Sequence, residues 1–316
     1  MDASRHVAVH GPRTSCPRPL AARSILRCTG CALVATLGGC GGVLDPQGPV
    51  GAGEKLILLD ALAIMLAIVV PVIVATLAFA WWFRASNSRA RHLPDWSFSG
   101  RIELVVWSIP ALVIMFLGGL AWISAHDLDP AKPLSAGQAA PLEIEVVSLD
   151  WKWLFIYPGQ GIASVNELVV PTGAPLHLRL TSGSVMTAFF VPQLGSMIYT
   201  MNGMVTQLNL RADRPGSYPG LASHFSGDGF SGMHFQTRAV APAAFAAWVS
   251  AAKSAGPLLD GPGYVALSRQ SQDVAPFTYR AAAPGLFDQI ATRRLPPGPG
   301  PQGSGASPAI VSGKTP

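Results

Sequence analysis

Ala61 to Phe83 reads A-L-A-I-M-L-A-I-V-V-P-V-I-V-A-T-L-A-F-A-W-W-F, without one charged side chain. As an α-helix rising about 1.5 Å per residue it reaches about 34 Å, enough to cross the hydrocarbon core of a bilayer. Pro71 would kink such a helix without abolishing it in lipid. Trp81 and Trp82 stand at its end, where a belt of interfacial aromatics belongs. The rest of the chain agrees with a membrane protein. It is 49% hydrophobic and only 12% charged, with a mean hydropathy of +0.36.

Downstream of this run come Arg84, Arg89, Arg91 and Arg101, opposed only by Asp95. The positive-inside rule makes that loop, 84–102, cytoplasmic. A second uncharged run, Leu104 to Ile123, returns outward with Pro110 inside it. The expectation is a hairpin of two membrane helices, 56–83 and 103–124, with both ends outside. Glu103 stands at the cytoplasmic lip of the second helix. A carboxylate there serves either as an interfacial group facing headgroups or as a point of proton uptake.

Upstream, residues 1–39 carry Arg5, Arg13, Arg18, Arg23 and Arg27 against Asp2. The short apolar run Cys28 to Leu37 then fits a secretory signal rather than a span. It ends Leu37-Gly38-Gly39-Cys40, which resembles the bacterial lipoprotein cleavage box. Cys40 is therefore expected to become the acylated N-terminus, carrying diacylglyceryl and palmitate chains. Residues 40–55 then form an outer lead into the first helix. Removing 1–39 takes the net charge from +5 to +1, so no basic face remains for a nucleic-acid backbone. All four cysteines lie within the first forty residues. The portion beyond Cys40 can form neither a disulfide nor a cysteine–metal bond.

After a Pro/Ala-rich connector at 125–141 the hydrophobic period becomes two. Leu142, Ile144 and Val146 alternate with Glu143 and Glu145; Leu176, Leu178 and Leu180 with His177 and Arg179; Leu208 and Leu210 with Gln207 and Asn209. Such runs separated by Pro-Thr-Gly, Gln-Leu-Gly and Arg-Pro-Gly turns predict a β-sandwich or small barrel over 142–240, outside the membrane. A short helix is expected at 242–253 within an aromatic-rich extension, 241–294. The Pro/Gly/Ser-rich tail, 295–316, has no packing pattern.

Three blocks carry a resemblance. They are L-D-W-K-W-L-F-I-Y-P-G-Q-G-I-A-S-V-N-E (149–167), S-V-M-T-A-F-F-V-P-Q-L-G-S-M-I-Y-T-M-N-G-M (184–204) and F-S-G-D-G-F-S-G-M-H-F (225–235). With R-I-E-L-V-V-W-S-I-P around Glu103, they resemble subunit II of the heme–copper respiratory oxidases, in its copper-less bo-type ubiquinol oxidase branch. The resemblance spans roughly residues 37 to 292. It implies an all-β cupredoxin-like sandwich behind the two-helix hairpin, in the periplasm of a bacterial inner membrane. It also implies a large heme-bearing subunit I, which holds two hemes and one copper, further small subunits, and ubiquinol as substrate.

In the cytochrome c oxidase branch the sandwich holds two coppers through two thiolates, two imidazoles, a thioether and a carbonyl, because shared-electron copper needs soft sulfur ligands. Laid on this sequence, the family pattern puts the thiolates at Phe225 and Gly229, the imidazoles at Thr187 and Met233, the thioether at Gln236 and the carbonyl at Gly227. Every side-chain ligand is missing, so no metal is expected here and cytochrome c is not an expected donor. His177, His224 and His234 leave one other metal option, set against ordinary strand and loop histidines. Met186, Met197, Met201 and Met204 read as packing residues. Trp151, Trp153 and Tyr157 are expected either in the core or at a subunit interface, and Glu103 is implied at the mouth of a proton channel. The competing function is a free-standing, membrane-anchored binding module of the same fold.

Overall fold

The computed structural model describes residues 42–91, 93–134 and 140–300. The segment expected to be a signal (1–39), the expected acylation site Cys40 and the tail beyond residue 300 lie outside the described residues.

Helix α1 (Pro49–Trp82) and helix α2 (Gly100–Asp127) are both long and apolar enough to cross a membrane. α1 begins earlier than the uncharged run predicts, because Pro49 at its first position supplies a fixed φ and forgoes a hydrogen bond no helix start could make. Its opening turn packs on the sandwich instead of leading to it. Gly51 N–H donates to Leu194 O at 3.1 Å, and Ser196 Oγ donates to Glu54 Oε1 at 2.6 Å. Gly195 permits this approach. Its φ is +138°, and a side chain there would begin 2.6 Å from Val50 Cγ1. Pro71 and Pro110 lie inside helices that continue past them. Beyond Gly51 neither helix contains a buried residue, so both present apolar flanks outward.

The sandwich has two sheets. One runs in the order β12-β3-β2-β1-β5-β8: Phe277–Tyr279, Ile162–Val165, Lys152–Tyr157, Leu142–Leu149, Leu176–Ser182 and Thr206–Leu210. The other runs β4-β10-β9-β6-β7: Glu167–Pro171, His234–Val240, Gly216–Ala222, Thr187–Val191 and Gly195–Thr200. Pairing is antiparallel except for β1 with β5 and β4 with β10. The predicted alternation sets the register. Ile144, Val146, Leu176, Leu178, Leu180, Leu208 and Leu210 all point between the sheets.

The centre of that core is aromatic. Phe189 stacks on Phe235 at 5.0 Å, and Trp153 meets both edge-on at 5.4 and 5.7 Å. Trp153 and Tyr157 are fully buried and Trp151 is 7% exposed. Their rings are spent inside this chain, which corrects the expectation that they offer a subunit interface. A ring with no exposed area has nothing to present to a partner.

Alternation alone does not describe β1 and β2. Val147, Leu149, Leu154 and Ile156 are buried on the opposite face of the sheet, in a second core. The extension supplies the other half. After α3 (Pro242–Ser254) come β11 (Leu258–Leu259), α4 (Gly261–Leu267), β12, β13 (Ala281–Ala282) and α5 (Leu286–Ala291). From these, Leu259, Tyr264, Tyr279, Leu286, Phe287 and Ile290 cover that face. Arg179 pins the cover, donating to Glu145 at 2.9 Å and Asp288 at 3.0 Å with its guanidinium over the Phe287 ring. Burial pushes the Glu145 carboxyl up, and Arg179 partly offsets that.

Candidate functional site

The loop from β9 to β10 is tied down at every few residues. Ala222 N–H donates to Met233 O at 3.1 Å and Ser223 N–H to Ala188 O at 3.0 Å, closing its base. A single 3-10 turn, Phe230–Gly232, carries the chain back into β10. Thr187 Oγ donates to His224 O at 3.0 Å, and Trp151 Nε1 donates to Ser226 O at 3.1 Å. Ser226 Oγ lies 4.0 Å from Met233 Sδ, both residues buried.

This geometry corrects the register expected from the sequence. Phe225 is 70% exposed. Gln236 lies on the outer face of β10, where it accepts from Ser217 Oγ, because its neighbours Phe235 and Thr237 take the inner face. Gly229 sits beneath the Trp151 indole, and Gly227 adopts a left-handed φ of 107°. Phe225, Gly227, Gly229 and Gln236 therefore do not converge with Thr187 and Met233. Moving the loop positions back by three, with spacing kept, gives Ala222, His224, Ser226, Phe230 and Met233. Of these, Ala222, Ser226 and Met233 are buried together at the loop floor and Thr187 bonds the His224 carbonyl there, while Phe230 sits half-buried with its ring 5.7 Å from that of Phe225. On that spacing the family pattern would put its thioether at Met233 and its carbonyl at His224. Met233 is the one sulfur-bearing residue of the loop, and this distinguishes the two registers in the sequence.

The corrected set still does not fit a binuclear copper centre. A methyl and a hydroxyl (Ala222, Ser226) take the thiolate positions. A hydroxyl and a phenyl ring (Thr187, Phe230) take the imidazole positions. One thioether and one carbonyl already accepting a hydrogen bond cannot hold copper in a redox-active form. The three histidines stay apart. His177 lies in β5 of the six-stranded sheet, bonded through Nδ1 to Asn209 at 3.0 Å, whereas His234 is exposed at the start of β10. The His224 ring meets Tyr199 at 5.6 Å, with Nδ1 buried and unpartnered among the described residues. Among the described residues no three His, Cys, Asp or Glu side chains group closely enough for a metal ion.

Several apolar side chains of the loop and the strands beside it are exposed, among polar ones such as Ser223, Asp228 and His234. Met186, Met197, Tyr199, Met204, Val205 and Phe225 are each at least 40% exposed. Of the methionines read as packing, Met186, Met197 and Met204 thus form part of an outer patch. Behind the loop lies a charged pair that the sequence pattern did not flag. Asp150 and Lys152, flanking Trp151, are 2% and 1% exposed. Lys152 Nζ donates to Arg269 O at 2.7 Å and Ser271 Oγ at 2.6 Å. Asp150 accepts from Gly300 N–H at 3.1 Å, drawing the end of the extension across the strand. Burial lowers the Lys152 ammonium to about 8. Glu103 occupies the first turn of α2, exposed, at the far end of the hairpin from the sandwich.

A two-helix hairpin bearing a cupredoxin-like sandwich defines the class, that of terminal-oxidase subunit II. Residues 148–240 match the family described as cytochrome c oxidase subunit II, periplasmic domain. Over 258 residues the chain is 47% identical to the cytochrome bo(3) ubiquinol oxidase subunit 2 of Pseudomonas aeruginosa, an alignment covering 81% of this chain and 78% of that one. It is 47% identical to the ubiquinol oxidase subunit 2 of Acetobacter aceti, covering 85% and 88%. It is 34% identical to the quinol oxidase subunit 2 of Bacillus cereus, covering 72% and 79%. The chain belongs to the quinol oxidase subunit 2 family.

Proposed function

We propose that this chain is the non-redox subunit II of a complex that oxidises ubiquinol, reduces oxygen to water and pumps protons. The observation that carries this reading is the loop's donor set. With a methyl, two hydroxyls and a phenyl ring at the thiolate and imidazole positions, it offers no relay from a water-soluble cytochrome. Electrons then enter from a lipid-soluble donor in the membrane plane, at a large subunit holding two hemes and one copper. The apolar patch of Met186, Met197, Tyr199, Met204, Val205 and Phe225 suits docking onto that subunit and further small ones.

Within this reading the chain anchors and caps the complex on the outer face of a bacterial inner membrane, with Cys40 as an acylated N-terminus. Glu103, beside the arginines of the cytoplasmic loop, assists proton uptake. The testing experiment is oxygen consumption by the purified complex with ubiquinol against cytochrome c as donor. Ubiquinol alone should sustain turnover. Equal rates, or a near-infrared mixed-valence copper band, would overturn the reading. The same purification separates it from a free-standing binding module, which would leave detergent solution without a heme-bearing partner.

A further inference from the structure

We infer that a hollow at the end of α1, walled by Arg84 and Arg91, binds the phosphodiester of an anionic phospholipid. The hollow encloses about 180 Å³ and is lined by Phe83, Arg84, Ala85, Asn87, Ala90 and Arg91. It is too small for a whole lipid or a drug-sized molecule and suits a headgroup. Its charge is of one sign. The only acid of the 84–102 loop, Asp95, is absent from the lining. Among the described residues neither arginine pairs with a carboxylate.

The end of the helix shapes this hollow. α1 stops at Trp82, and its last carbonyls need donors. Arg84 Nη1 donates to Trp81 O at 3.1 Å, while its Nε donates to Ser86 Oγ at 3.0 Å. The guanidinium is thereby turned back along the helix, 5.1 Å from the centre of the Trp81 ring, at the level where interfacial aromatics sit. Asn87 Nδ2 donates to Trp82 O, and its Oδ1 accepts from Arg89 N–H at 3.2 Å. Asn87 N–H also donates to Arg84 O at 2.9 Å. These bonds bend the chain into a bowl that returns Arg91 to the wall it shares with Arg84. Arg91 is exposed, and among the described residues its guanidinium enters no hydrogen bond or ion pair.

The chemistry of the wall selects the occupant. Guanidinium forks match the paired oxygens of a phosphate. Phe83, Ala85 and Ala90 line the remainder, so charge adjoins apolar surface, as a lipid headgroup adjoins its glycerol and acyl chains. A free phosphate answers only the charged half. A zwitterionic headgroup would carry an ammonium into a site that already holds two cations, and like charges repel. An anionic headgroup, with a neutral alcohol beyond its phosphodiester, meets neither objection. Arginines beside any membrane helix draw anionic lipid towards them as a diffuse cloud. Here two of the loop's four are gathered by Asn87 into one site.

The test uses the complete complex in detergent and a photo-reactive phosphatidylglycerol, with the labelled peptides mapped by mass spectrometry. Label is expected on the segment 83–91. Excess phosphatidylglycerol should displace it, whereas phosphatidylcholine and millimolar inorganic phosphate should not. Arg91→Gln, which breaks no bond among the described residues, should weaken labelling about fivefold, the loss expected for one arginine at an anionic surface. Asn87→Ala, which keeps every charge and releases the bowl, should weaken it to a similar degree. Arg89→Gln removes the same charge from the same loop, but outside the lining, and should leave labelling unchanged. Equal loss in Arg89→Gln and Arg91→Gln, or full labelling in Asn87→Ala, overturns the inference, because diffuse attraction then suffices. Displacement by phosphatidylcholine or inorganic phosphate overturns it as well. So does the absence of label on 83–91, the outcome expected where a partner subunit covers the loop.

Discussion

The Trp151 indole lies flat against the backbone of Gly229, so that a side chain at 229 would begin 2.3 Å from the ring. The same ring reaches over to bond Ser226, from a backbone with φ at +65°. A loop that copper would organise in a metal-bearing relative is organised here by an aromatic side chain. Gly229→Ala is expected to lower stability by about 1–3 kcal/mol through overpacking. Trp151→Phe, which loses the bond to Ser226 and leaves part of the indole's buried volume unfilled, is expected to cost about 2–3 kcal/mol. Chemical unfolding of the detergent-solubilised chain reads both. Equal tolerance of the two would mean that the ring does not hold the loop.

The three-residue register can be tested by restoring what is missing. Thr187→His, Ala222→Cys, Ser226→Cys and Phe230→His combined, with Met233 left in place, should bind copper and give a mixed-valence near-infrared band. The set built on Phe225, Gly229, Met233 and Gln236 should not, because residue 236 faces away from the loop floor. Copper stoichiometry and the absorption spectrum of each variant decide between them.

Lys152 predicts a pH dependence with a definite sign. Its ammonium titrates at about 8 in the folded chain against about 10.5 unfolded. Between those values the unfolded state binds the extra proton, so the Lys152 contribution to stability rises with pH. Below 8 the full burial penalty is present. Tyr157 and Tyr264, both raised by burial, act oppositely above about 10, where only the unfolded chain loses their protons. The gain between pH 8 and 10 should be absent in Lys152→Met, as measured by the pH dependence of the denaturant midpoint.

Phe287 and Arg179 hold the outer cover on the six-stranded sheet. Phe287→Ala should destabilise the chain by about 3–5 kcal/mol, as for other buried aromatic truncations. Arg179→Gln should cost less and drive the Glu145 carboxyl still higher, since burial then acts without its opposing cation. Limited proteolysis should release segment 241–300 more readily in both. Unchanged protection would show that the second core is dispensable.

Glu103→Gln is expected to slow turnover severalfold in the assembled oxidase and to slow proton uptake in a single turnover. Unchanged uptake kinetics would reduce Glu103 to an interfacial group.

Long uniform patterns were the legible part of the sequence. Ala61–Phe83 and Leu104–Ile123 announce their helices because lipid demands an unbroken apolar stretch. The alternation at Ile144, Leu178 and Leu208 announces a sheet face. Val147, Leu149 and Leu154 broke that rule because the strands are covered on both faces, and the cover comes from residues more than a hundred positions later. The missing cysteines were legible as chemistry, but the loop register was not. A Gly/Ser-rich segment has few side chains to count against, so Phe225 and Gly229 looked as suitable as Ala222 and Ser226 until the Thr187–His224 bond fixed the alignment. Trp151 resembled its neighbours Trp153 and Phe155 in sequence, but its left-handed backbone turns it onto the loop instead.

α1 passes from bilayer to sandwich without a joint. Its first turn is bonded to Leu194 and Ser196, and its helix then runs on to Trp82. The cap is a mast rather than a tethered float. Its height and azimuth above the lipid are set by helix geometry, and there is little swivel to be lost when neighbouring subunits close around it.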